Sequence, residues 1–254
     1  MTKEELNNSN VIRNISTDES EIIRNILDLH ADGTETFDAD FTASKLNFYK
    51  KRKGWKYKIP VPEYLYDVAP LTDDITKIVP FNKIPVEDGK FKSICIDLPF
   101  VISPKKCKSM VEENDASVIA KRFASWYPYP EAYYNMYWWL KEAERTLADG
   151  GIIAYKMQNT VSGGVSHMFI PYAIAVASSL GLYVEDEFIL EAKHRLISAG
   201  KIKKQRHGRK YTSSWLVFKK DKKKGDKFSI LNLLDEVKMK DLNGELEGME
   251  FEQK

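Results

Sequence analysis

Cysteine is nearly missing from this chain: Cys95 and Cys107 are the two in 254 residues. Two thiols cannot build a disulfide framework, and that scarcity suits a reducing cytosol. Cys95 lies inside the apolar run Ser93-Ile94-Cys95-Ile96 and reads as a small core residue. Long apolar runs are missing too. No stretch reaches the roughly 20 apolar residues of a membrane-spanning helix. The start, Met1-Thr2-Lys3-Glu4-Glu5, lacks the apolar centre of a signal peptide. A cytoplasmic protein without a membrane partner is expected. An excess of one charge is also missing: 39 Lys and Arg face 37 Asp and Glu, for a net +2. Overall charge therefore selects no partner, and only its distribution can. No His, Cys and carboxylate set has zinc spacing and no Walker-type loop is present, so neither a metal site nor that phosphate cradle is expected.

What is present is apolar residues at 43%, enough for one sizeable domain. Residues 1–17 are polar and Asn-rich and read as a flexible arm, 18–220 as the domain, and 221–254 as a charged extension with one short helix. Asp18 can cap a helix over about 19–31, where Ile22, Ile23, Ile26 and Leu27 recur at helical spacing. Strands are expected at 36–40, 64–68, 76–79, 92–96, 152–157, 183–192 and 214–218, and helices at 131–147, 168–180 and 228–239. Residues 104–128 form a long polar connection of the kind used as lids or binding loops, and 219–227 a charged linker. Strands alternating with helices predict an α/β fold: seven mainly parallel strands, helices on both faces, and a final hairpin-like pair.

The chemistry concentrates at Asp97-Leu98-Pro99-Phe100, which closes the fourth strand. Open α/β sheets place ligands at such strand ends. A carboxylate and the carbonyl of Leu98 can each accept an N–H from an exocyclic amine. Pro99 restricts its own φ and biases Leu98 towards extended geometry, which aims that carbonyl. Phe100 can stack on a flat base. The other reading is an ordinary strand-to-loop turn. Upstream, Phe37-Asp38-Ala39-Asp40-Phe41-Thr42-Ala43-Ser44 leaves the first strand with acidic and hydroxyl groups.

With Asp40-Phe41-Thr42-Ala43-Ser44-Lys45-Leu46, Tyr66-Asp67-Val68, Lys156-Met157-Gln158 and Ser166-His167-Met168-Phe169-Ile170, the chain resembles small, mostly phage-encoded adenine-specific DNA methyltransferases over about residues 20–220. Their fourth-strand motif is Asp-Pro-Pro followed by an aromatic residue. The resemblance implies a Rossmann-like methyltransferase sheet, S-adenosylmethionine as methyl donor and no metal. It places Asp40, Thr42, Ser44 and Asp67 at the cofactor, with Asp67 on the ribose hydroxyls. It places Asp97, Leu98, Pro99 and Phe100 at the target adenine of DNA, flipped from the duplex. A bacterial or phage-infected cytoplasm follows. The chain departs from the pattern where Ala43, Ser44 and Leu46 stand at glycine or small positions, where Val79-Pro80 replaces Ala-Asp, and where Leu98 replaces the first Pro. Leu46, being branched, is expected to intrude on the cofactor. Two alternatives stay open: a catalytically degenerate DNA-binding relative, and an RNA adenine methyltransferase, whose motif carries Leu-Pro.

Basic residues cluster between the last two strands. Lys193, Arg195, Lys201, Lys203, Lys204, Arg206, Arg209 and Lys210 occur with no acid among them, and Lys193, Arg195, Lys203, Lys204, Arg206, Arg209 and Lys210 are the candidate phosphate contacts. A merely solvated basic loop is the plainer reading. Lys50 to Lys53 with Trp55 form a second basic and aromatic candidate. His167 reads as a satisfied loop histidine and the rings of 133–139 as core packing.

Overall fold

A carboxylate starts the first helix. In a computed structural model that describes residues 11–103, 125–193 and 206–243, strand β1 (Ile15–Ser16) leads into helix α1 (Glu19–His30). The side chain of Asp18 accepts the amide of Ser20 at 2.9 Å, satisfying one of the helix's orphan N–H groups. Ile22, Ile23, Ile26 and Leu27 fall on one stripe and are fully buried.

The chain then lays down β2 (Ala39–Asp40), β3 (Tyr64–Asp67), β4 (Thr76–Lys77) and β5 (Phe91–Asp97). The connections 41–63, 68–75 and 78–90 carry no helix. Pro60 and Pro62 at the end of the first, Pro70 in the second, and Pro80 and Pro85 in the third remove amide donors and fix φ locally. Strands β6 (Val101–Ile102) and β7 (Ser125–Trp126) pair in parallel. Helix α2 (Pro130–Thr146) starts with proline in its first turn, where the missing N–H costs nothing. It runs directly into β8 (Leu147–Met157). A small hairpin, β9 (Thr160–Ser162) and β10 (Val165–His167), precedes α3 (Phe169–Ser179). Strands β11 (Leu182–Glu191) and β12 (Thr212–Lys220) and helices α4 (Lys222–Lys227) and α5 (Ile230–Leu242) complete the described chain.

Among the described residues the main sheet has eight strands in the order β1-β11-β12-β8-β5-β2-β3-β4. All neighbours are parallel except β12, which runs against both β11 and β8. The seven expected strands are each present, shortened or extended by a few residues. The eighth was not expected: at the end of the segment read as an arm, whose residues 1–10 lie outside the described residues, Ile15 and Ser16 add a short parallel edge to β11, and the amide of Ile189 bonds the carbonyl of Asn14. Polar sequence concealed it, because an edge strand needs backbone groups and little apolar surface. The expected linker 219–227 is also corrected. Its first two residues finish β12, and Asp221 caps α4 through the amide of Lys224. No described helix is long and apolar enough to cross a membrane.

Strand alternation divides the core. Ile94, Ile96 and Leu98 face one cluster with Ile153, Tyr155, Leu216 and Phe218, covered by α2 and α3. Cys95 faces the other with Ile152, Ala154, Trp215 and Val217, covered by α1 and by Phe48, Tyr49 and Ile59 of the 41–63 connection. Those three residues stand in for the helix that the connection lacks.

Helix α4 sits tightly on the chain reversal at Gly181. A Cβ built on Gly225 would lie 2.1 Å from the Gly181 carbonyl oxygen. Gly225→Ala is therefore expected to lower stability by about 1–3 kcal/mol through overpacking. Urea denaturation measures this, and an unchanged midpoint would contradict the close approach.

Candidate active site

The order of the strands reverses between β2 and β5. From β2 the chain steps outward to β3 and β4, then returns to lay β5 on the other side of β2. Ligands of open α/β sheets bind in the crevice at the carboxyl ends beside such a reversal. Asp40 ends β2, Asp67 ends β3 and Asp97 ends β5, so the three acids predicted from sequence stand together on this edge.

Hydrogen bonds tie them through the turn after β2. Asp40 Oδ1 accepts the Thr42 amide at 2.8 Å and its hydroxyl at 3.2 Å. The same hydroxyl accepts the amide of Asp97 at 2.7 Å. Asp67 Oδ2 accepts the Ser44 amide at 2.8 Å, and its Oδ1 the Ala69 amide at 2.7 Å. Ser44 and Leu46 take φ of 42° and 55°. That is the left-handed region where glycine is free and other residues are strained. The glycine-like turn is thus made without glycine. Leu46 packs against the α1-side cluster and a smaller one of Ala43, Leu65 and Ile75.

The carboxylates differ in access. Asp40 is 1% exposed, and its Oδ2 accepts the Tyr49 hydroxyl at 2.7 Å. Burial pushes its carboxyl up to about 7, against the hydrogen bonds from Tyr49 and Thr42. Asp67 is also raised by burial, with the Ala69 and Ser44 amides opposing. The Asp97 side chain keeps 29% exposure, so a ligand can reach it. Burial lifts its carboxyl to about 6, and Lys156 pulls it down. Leu98 is buried beneath the motif, while Pro99 and Phe100 are half-buried. Trp126 Nε1 donates to the Pro99 carbonyl and braces the tetrapeptide from β7.

Strand direction brings the basic segment to the same edge. Strand β11 runs parallel to β1 and antiparallel to β12, which opposes β8, so β11 ends where β5 and β8 end. The Ala192 amide bonds the Tyr211 carbonyl, bringing the described flanks of the basic segment together. Lys193, Arg206, Arg209 and Lys210 are exposed there; Arg195, Lys203 and Lys204 lie outside the described residues, as does most of the expected 104–128 loop. His207 Nε2 sits 3.0 Å from the Gly164 carbonyl at the β9–β10 turn. His167 is buried against Tyr129, Phe169 and Tyr133, whose hydroxyl is 3.4 Å from its Nδ1, as a satisfied histidine should be. Trp138 and Trp139 of α2 are core, whereas Tyr134 and Tyr137 are exposed.

A cavity of about 500 Å³ opens at the other end of the sheet, between Thr34 to Asp38, Glu63, Tyr64 and Lys90 to Lys92. Of its carboxylates Glu35, Asp38 and Glu63, Asp38 already accepts the amides of Lys92 and Ser93. The perturbed carboxylates therefore stand at the carboxyl edge, away from this cavity.

Sequence reasoning missed Glu19, Tyr49, Trp126 and Lys156. A lysine inside the apolar strand Ile152 to Met157 was the visible signal for the last. Glu19 and Trp126 meet the site only through distant chain segments, and Tyr49 through the turn nine residues after Asp40. No protein family, curated protein or solved structure matches the chain.

The raised carboxyls give stability a defined pH dependence. Unfolded carboxyls release protons near pH 4, the folded ones at about 7 for Asp40 and about 6 for Asp97. Between those limits the folded state binds more protons, so stability falls as pH rises. Asp40→Asn is expected to shrink the fall in urea midpoint between pH 5 and pH 8. Equal falls in both proteins would show that Asp40 does not hold its proton.

Proposed function

We propose that this chain is an S-adenosylmethionine-dependent methyltransferase acting on the N6 amine of adenine in DNA. The observation that carries the reading is the Thr42–Asp97 bond at the reversal point, 2.7 Å long, which sets the β2 turn against the Asp97-Leu98-Pro99-Phe100 edge. Counted from β2, the strand order is third, second, first, fourth, fifth, as in doubly wound nucleotide-binding sheets. The final antiparallel pair β11–β12 supports a methyltransferase-type Rossmann sheet.

In this reading Asp97 and the Leu98 carbonyl accept the two N–H groups of the amine, and Phe100 stacks on the base. Holding the amine so that its lone pair faces the methyl group supplies much of the rate. Thr42, Ser44 and Asp67 would hold the cofactor, whose chemistry is to supply an activated methyl group. Asp40 acts behind them, fixing the Thr42 hydroxyl. The strained turn at Ser44 and Leu46 fits a close backbone approach. Arg206, Arg209, Lys210 and Lys193 would meet phosphates beside the flipped base.

One observation favours a second reading, a non-catalytic DNA-binding protein on the same fold. Asp40 is sealed by Tyr49 and Thr42, with Oδ1 and Oδ2 both already engaged.

Calorimetry with S-adenosylmethionine separates the two: measurable binding supports the enzyme, and no heat at millimolar ligand supports the second reading. Asp97→Ala, assayed with labelled S-adenosylmethionine on DNA and on RNA, is expected to lose about 100-fold or more in rate. Unchanged methylation in that variant would sink the mechanism.

A further inference from the structure

Lys156 is a cation within a core strand. Residues 152–155 and 157 are fully buried, and Lys156 itself is 9% exposed. Its register partner on β5 is Asp97, so both side chains leave the same face of the sheet. The ammonium lies 3.7 Å from Asp97 Oδ2 and 2.6 Å from Glu19 Oε1. It also sits over the rings of Phe48 and Trp215, at 5.1 and 5.7 Å from their centroids.

Glu19 is the less expected member. A first-turn carboxylate is favoured by the helix dipole and is normally left in water. This one is 9% exposed and turned towards the sheet. Burying two carboxylates around one ammonium is costly unless they compensate each other.

We infer that Lys156, anchored by Glu19, is a positioning residue for Asp97, keeping its carboxylate ionised and directed at the substrate amine. An ionised carboxylate only accepts hydrogen bonds, whereas a protonated one presents a donor to the amine's own N–H. The amine depends on the methyl-transfer reading; the charge coupling of the three groups does not.

The charged and titratable groups that bear on Asp97 come from several elements. Lys156 and Tyr155 come from β8, Glu19 from α1, Arg52 from the 41–63 connection, Asp40 from the end of β2 and Cys95 from β5 itself. Against the effect of burial, Lys156 and Arg52 favour the ionised form and Glu19 opposes it. Burial likewise disfavours the Lys156 ammonium, but Asp97 and Glu19 outweigh it and leave its pKa raised.

The two partners of Asp97 therefore act with opposite sign. In full-length protein carrying 13C-labelled aspartate, the Asp97 carboxyl resonance, assigned with Asp97→Asn, can be titrated directly. Lys156→Met is expected to move its midpoint up by about one unit or more, and Lys156→Arg to return it towards wild type. Glu19→Gln is expected to move it down, because the ammonium then serves Asp97 alone. The acid limb of the methylation rate should follow each shift. Unmoved midpoints, or shifts of one sign in both variants, overturn the inference. If Lys156→Met does not fold, Glu19→Gln decides alone, and an upward or absent shift overturns it. Opposite shifts in a protein that methylates nothing would uphold the coupling and refute the proposed function.

Discussion

A buried ammonium must be compensated, and the way Lys156 is compensated organises one whole face of the protein. Glu19 comes from α1, Asp97 from β5, and the rings of Phe48 and Trp215 from a loop and a distant strand. Removing Lys156 would leave the buried Glu19 carboxylate without its counter-charge, a penalty of several kcal/mol per ion in real proteins. The placement of α1 is thereby coupled to the direction of Asp97. The same helix end also holds the 41–63 connection: Asp18 accepts the Lys56 amide, Ser20 the Tyr57 amide, and Glu21 pairs with Lys56. One capped turn of helix thus positions both a loop and a counter-charge.

The second organising contact is the Thr42 hydroxyl. It donates to Asp40 and accepts from the Asp97 backbone, so it joins two adjacent strand ends in a fixed polarity. Asp40 is the donor's anchor and is itself anchored by Tyr49. A chain of this kind, satisfied at each link, is rigid because breaking one bond exposes a buried partner. Strain at Ser44 and Leu46 is sustained by it: the Ser44 amide is held by Asp67 while Leu46 is packed in two clusters. Leu46, whose branched side chain was expected to intrude on the cofactor, packs half-buried against both clusters beneath the turn.

The perturbed carboxyls and the described cavity lie at opposite ends of the sheet. The approximately 500 Å³ cavity borders strand beginnings, where Asp38 spends its carboxylate on backbone amides. The strand ends hold the carboxyls that burial has lifted and the exposed basic residues 206, 209 and 210. A ligand drawn by charge and hydrogen bonding would be drawn to the strand ends, whatever the volume elsewhere.

Local pattern determined much of this protein. The cap at Asp18, the stripe Ile22 to Leu27, the apolar strands and the motif at Asp97 all follow from neighbours within a few residues, and each was legible. That the 41–63 connection carries no helix was not read from the sequence, where alternation alone suggested helices on both faces. What tertiary structure decided are the partnerships between residues far apart: Glu19 with Lys156, Trp126 with Pro99, and Ile15 with Ile189. A carboxylate in a first turn or a lysine in a strand has no local reason to be buried. Its burial follows from strand order and register, which set the distance between charges and which the linear pattern does not encode.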